Sequence, residues 1–170
     1  MKIIEVNKLP SALSLNLGAL RSSSKRPGVV EALPEVTYVR PRVVVDAKRV
    51  AAYAKVCGFS KAHGVPMLFP HLDAFPLAMM LFGSRRFPWP AMGLVHLANS
   101  ARLLQRIHVE DVLRIEMRTG ELIAHDKGQA FTLHARALRG GEVVWESTWT
   151  LLRLGVRQPK GEPYTSQLVD

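Results

Sequence analysis

The chain has 170 residues, 48% of them hydrophobic and 22% charged; this excludes a disordered or low-complexity protein and gives one domain room for a real core. A single cysteine, Cys57, excludes an internal disulfide framework and suits a reducing cytoplasm. The net charge of +9 is scattered, with no helix-turn-helix, zinc-finger or RNP-type pattern beside it, so it points to anionic small ligands or an acidic carrier and not to nucleic acid.

Residues 1–34 read as an N-terminal arm. The segment from Leu9 to Leu20 carries several leucines and suits a short helix lying against the domain, and Ser22-Ser23-Ser24-Lys25-Arg26-Pro27-Gly28 is a cluster of structure breakers. The first residues lack the apolar core and cleavage site of a secretory signal, and no apolar run approaches the roughly 18–20 residues that span a bilayer, so a cytoplasmic protein without membrane contact is expected.

The folded domain is placed at 35–155. Val36 to Val45 is rich in β formers, although Pro41 argues against a central strand there. Asp46 starts a helix as its N-cap, and Gly58 stands where a left-handed residue ends one. A loop with Gly64, Pro66 and Pro70 leads into Leu68-Phe69-Pro70-His71-Leu72-Asp73-Ala74-Phe75-Pro76-Leu77-Ala78-Met79-Met80-Leu81-Phe82. Here Asp73 is expected to cap the first turn and Pro76 to fall within it. From Leu77 to Phe82 no side chain is polar, so this helix is expected to be wrapped on every side, with Met79, Met80 and Leu81 buried.

Strands follow. Leu94 to Leu103 alternates imperfectly. From Val112 to Ala124 the alternation is cleaner, with Leu113, Ile115 and Met117 on the core face. Gly128 to Leu138 and Val143 to Leu154 flank the hairpin signal Arg139-Gly140-Gly141-Glu142. Residues 156–170 read as a linker-like tail. One apolar helix followed by a run of antiparallel strands describes an α+β hot-dog fold, a sheet wrapped around a central helix. Such a sheet has an edge that calls for a partner, so a dimer is expected.

From Val45 to about Arg153 the chain resembles the MaoC-like hot-dog family of acyl-thioester dehydratases and hydratases, in particular the N-terminal half of the double-hot-dog type. The matching pieces are Tyr53-Ala54-Lys55-Val56-Cys57-Gly58, Phe69-Pro70-His71-Leu72-Asp73-Ala74-Phe75-Pro76-Leu77, Phe87-Pro88-Trp89-Pro90 through Gly93-Leu94-Val95-His96, and Gly141-Glu142-Val143-Val144-Trp145-Glu146-Ser147. The resemblance implies addition or removal of water at a 2-enoyl thioester of coenzyme A or an acyl carrier. It implies no cofactor.

That reaction needs a group to hold water, a group to move a proton and a dipole at the thioester carbonyl. Active relatives supply the first two from a Ser-Gly-Asp-x-Asn-Pro-x-His loop and the third from a His-Gly-Met turn at the helix entrance. Here Phe59 stands in place of the aspartate, Lys61 of the asparagine and Gly64 of the histidine, while His71-Leu72-Asp73 replaces the turn.

The expected role is therefore a non-catalytic half that shapes the acyl site and pairs with a catalytic hot-dog domain as a homodimer or heterodimer. One alternative is an independent homodimeric hydratase or thioesterase using His63 and Asp73 as its catalytic pair. Another is an acyl-binding scaffold. His71 suits a local hydrogen bond or a place at the substrate, and His96 and Asn99 suit the wall of an acyl tunnel. His108, His125 and His134 read as solvated and Cys57 as a packing residue. No spacing of His, Cys, Asp or Glu suggests a metal site, and no glycine-rich loop cradles phosphate.

Overall fold

The computed structural model describes residues 2–26, 28–60 and 64–165. In chain order these form β1 (Lys2–Glu5), α1 (Ala12–Arg21), β2 (Val36–Val44), α2 (Ala47–Cys57), α3 (His71–Gly83), β3 (Leu94–Leu103), β4 (Val112–His125), β5 (Gly128–Arg139), β6 (Glu142–Leu154) and β7 (Glu162–Pro163). One sheet runs in the order β1-β2-β4-β5-β6-β3, with β7 also on β4. Pairing is antiparallel except for the short parallel additions of β1 and β7. The central helix α3 packs against β2, β4 and β5. This is the expected hot-dog fold.

Local chemistry explains most boundaries. The Asp46 carboxylate accepts from Arg49 N at 2.8 Å, and Gly58 closes α2 at φ 71°. Gly140 and Gly141, both at positive φ, turn β5 into β6. Pro41 is accommodated because β1 pairs only with Val36–Val39 and the β2–β4 ladder shifts register between Arg40 and Val43. The proline falls in that irregularity, beyond the end of β1. On β4, Leu113, Ile115 and Met117 are buried, as the alternation predicts.

Three expectations for α3 are corrected. The helix opens at His71 behind Pro70, which has no capping side chain, so Asp73 is its third residue and not its cap. Pro76 is the sixth residue, past the first turn, and cannot donate to the Leu72 carbonyl. Burial is one-sided. Ala74, Leu77, Ala78 and Leu81, at i, i+3, i+4 and i+7, are fully buried, but Met79 and Met80 are only partly so, and Leu72 and Phe75 are 40% and 50% exposed. The sheet covers one side of the helix and leaves an apolar stripe open.

The arm contributes more than its composition suggests. β1 extends the sheet, and α1 lies across the end of α3 where Gly18 meets Gly83 so closely that a Cβ on Gly83 would sit 3.3 Å from the Gly18 backbone. Lys25 Nζ donates to the Phe82 and Ser84 carbonyls at 2.9 and 2.8 Å, satisfying the C-terminal end of α3. Trp89 Nε1 donates to Gly28 O at 3.1 Å. The fully buried Gln129 amide exchanges two hydrogen bonds with the Val30 backbone and donates a third to Lys160 O, all between 2.9 and 3.0 Å.

Candidate functional site

The first turn of α3, the edge strand β3 and its neighbour β6 meet around Trp149. The His71 ring lies over the indole with centroids 4.4 Å apart, and His96 and Phe75 stand 6.1 and 6.4 Å from it. Asn99 is directly opposite Trp149 in the β3–β6 ladder. Its Oδ1 accepts from Ser147 Oγ at 2.6 Å, and Ser147 Oγ in turn accepts from Trp149 Nε1 at 3.0 Å. His96 Nε2 lies 2.9 Å from the Ala98 carbonyl, so that nitrogen carries the proton. The structure thus brings His71, His96 and Asn99 into one cluster. Trp149 and Ser147, which complete it, were missed in the sequence; their signal is the period-two row Trp145, Ser147, Trp149 on one face of β6.

The cluster is aromatic and contains no carboxylate, ammonium or guanidinium group. Burial, and then repulsion from His96, hold the His71 imidazole below its ordinary pKa of 6.5, so it is neutral at neutral pH. Its Nδ1 is buried and has no hydrogen-bond partner among the described residues. Beside the cluster run the exposed apolar side chains Leu72 and Phe75 of α3, and on the strand side the outer edge of β3 has no strand neighbour among the described residues.

The helix entrance offers no free dipole. His71 N, Leu72 N, Asp73 N and Ala74 N donate to the carbonyls of Leu68, Phe69, Pro70 and Pro70 at 3.0–3.1 Å. Ala74 N makes the ordinary intrahelical bond; the other three are the N–H groups a helix start normally leaves open for a ligand, since Pro70 has none. Asp73 points away from Trp149: its Oδ1 receives Arg40 Nη1 at 2.6 Å from β2 and Arg49 Nη2 at 3.1 Å from α2. At 4% exposure it is a buried ion pair joining three elements. Its suggested partner His63 lies outside the described residues. Phe59 is half-exposed near Tyr53, with ring centroids 6.4 Å apart.

Other expectations change. His134 is not solvated; it bridges Glu121 Oε2 at 3.0 Å and Thr148 Oγ1 at 3.1 Å on the sheet. His125 pairs with Asp126 at 2.6 Å and stacks on Tyr164. His108 is exposed, as expected. Cys57 is exposed and does not pack in the core. No helix among the described residues is long and apolar enough to cross a membrane.

A sheet in this strand order, packed on a central helix and carrying an aromatic cluster beside its edge strand, defines a hot-dog domain. No family model matches the chain. It is 30% identical over 154 residues, 91% of its length, to 3-hydroxyacyl-thioester dehydratase X of Mycobacterium tuberculosis, and spans 55% of that protein. The crystal structure of HtdX from the same organism superposes with a TM-score of 0.63 over 69% of this chain and 51% of that one, at 30% identity. The truncated HadBC (3R-hydroxyacyl-ACP dehydratase) complex of M. tuberculosis gives 0.58 at 15% identity, covering 72% and 98%. A MaoC-like dehydratase gives 0.56 at 15% identity, covering 73% and 42%. The last two show the fold alone. The chain is similar in sequence and in fold to a hot-dog 3-hydroxyacyl-thioester dehydratase, and it spans about half the length of that curated relative.

Proposed function

We propose that this chain is the non-catalytic half of an acyl-thioester dehydratase or hydratase unit. It shapes the acyl site with the surface around Trp149 and pairs along β3 with a hot-dog domain that carries the catalytic loop. The observation that carries this reading is the helix entrance: all four first-turn N–H groups are occupied by preceding carbonyls, and the nearest carboxylate, Asp73, is committed to two guanidinium groups on the other side of the helix. Among the described residues a thioester carbonyl finds no free backbone donor there, and the nearest carboxylate is not free to act as a base. Phe59, in the position where active relatives carry the aspartate, supports the same conclusion.

The open stripe Leu72 and Phe75, next to an unpaired strand edge, supports the pairing. An apolar face beside free backbone groups is stabilised by a partner that continues the sheet. The chain matches 55% of the named dehydratase to which it is similar, which fits the same picture.

Two measurements test the proposal. Alone, the chain should hydrate crotonyl coenzyme A no faster than a blank, and sedimentation should show a dimer at about micromolar concentration. Mixed with a hot-dog chain that carries the catalytic loop, it should form a heterodimer in which Trp149→Ala alters acyl-length preference. A robust rate from the isolated chain, or a stable monomer that pairs with nothing, sinks the reading.

A further inference from the structure

A concavity lies at the other end of α3, where Lys25 meets the Phe82 and Ser84 carbonyls. It encloses about 500 Å³. Three cations, Lys25, Arg26 and Arg153, and two hydroxyls, Ser23 and Ser24, line it, with Pro90 and Met92 as its apolar side; no carboxylate is among the lining residues.

The positive groups are not spent on one another's neighbours. Among the described residues neither Arg26 nor Arg153 has a carboxylate partner. Arg153 Nε is buried and without a hydrogen bond. Gly93, at φ 84°, lets that guanidinium lie against the backbone, since a Cβ there would stand 3.1 Å from Arg153 Nη1. Lys25 uses two of its three donors on carbonyls and keeps one. A buried guanidinium edge with no acceptor is an unmet cost inside a protein, and an incoming phosphate oxygen is the acceptor that fits a planar fork.

We propose that this pocket binds a phosphate-bearing ligand of the nucleoside diphosphate class. Three positive groups in one cavity match the charge of two linked phosphates. The volume exceeds what an isolated inorganic anion fills and falls within the range of small-ligand pockets. Pro90 and the exposed Met92 offer an apolar wall for a flat base. The site lies at the far end of α3 from Trp149 and does not depend on the acyl reading.

Calorimetric titration of the full chain with ADP, adenosine and inorganic pyrophosphate tests it. ADP should bind about ten-fold or more tightly than adenosine, and more tightly than pyrophosphate, a difference of about 1.4 kcal/mol per decade. Arg153→Gln and the exposed-site variant Arg26→Gln should each weaken ADP about five-fold or more while leaving the melting temperature in place. Arg136→Gln removes the same charge from an exposed position on β5 and should leave ADP binding unchanged. If ADP binds no better than adenosine, or Arg136→Gln weakens it as much as Arg153→Gln, the site is only diffuse surface charge. If pyrophosphate binds as tightly as ADP, the nucleoside part of the assignment is wrong.

Discussion

His71 and Trp149 stack with ring centroids 4.4 Å apart, joining the start of the central helix to β6 and placing a neutral imidazole against the indole. The pair fixes the wall of the candidate acyl surface, and it makes that wall sensitive to acid.

The folded-state pKa of His71 lies below its unfolded value of 6.5, because burial and His96 disfavour the charged ring. Between the two values the unfolded chain binds more protons, so stability rises with pH there. The contribution is fully present above about pH 6.5 and is lost as pH falls through the folded value. Urea midpoints measured from pH 5 to 8 should drop on the acid side, and His71→Gln should flatten that drop. An unchanged acid limb in the variant would show that His71 is not the titrating group.

Asp73 is held by two arginines of unequal burial, 18% exposed at Arg40 and 44% at Arg49. Arg40→Ala leaves a buried carboxylate short of its nearer partner and should cost about 3 kcal/mol, the low end for breaking a buried pair because Arg49 remains. Arg49→Ala removes a largely solvated contact and should cost about 0–1 kcal/mol. Equal losses in chemical denaturation would mean that the two arginines share the charge equally.

The crossing of α1 on α3 predicts different outcomes at its two glycines. A methyl on Gly18 meets only Gly83 Cα at 3.9 Å, so Gly18→Ala should be neutral or stabilise by about 0.5–1 kcal/mol through helix propensity. Gly83→Val forces the Gly18 backbone away and should destabilise by about 1–3 kcal/mol. In thermal melts Gly83→Val should fall below the parent chain while Gly18→Ala stays level with it or rises.

Within α3, Leu81→Ala should cost about 2–5 kcal/mol, since its side chain is fully buried in the main core. Met80 is only partly buried, so Met80→Asp should be the milder of the two. A Met80→Asp variant more damaged than Leu81→Ala would show that the half-open side of the helix is closed in solution.

Much of this was legible in the sequence because the signals were local. Asp46 and Gly58 bound α2, paired glycines turned β5 into β6, and alternation fixed the core face of β4. The errors share one cause. A run such as Leu77 to Phe82 shows that every side of a helix is apolar, but not how many sides its own chain covers. Asp73 read as a cap because capping is local, whereas its real partners, Arg40 and Arg49, are 33 and 24 residues away. The candidate cluster was half visible. His71, His96 and Asn99 stood out as polar groups in apolar surroundings, while Trp149 carries no mark of its own within the predicted strand from Val143 to Leu154, because its role depends on which strand lies beside it.

One amide knots the two ends of the polypeptide together. Gln129 grips Val30 on the way in and Lys160 on the way out, with every donor and its acceptor engaged. Loosening either segment leaves a buried polar group of this side chain without its partner, and that shared cost couples the two. Amide exchange near Val30 and near Glu162 should share one opening rate, and Gln129→Ala should speed both in step.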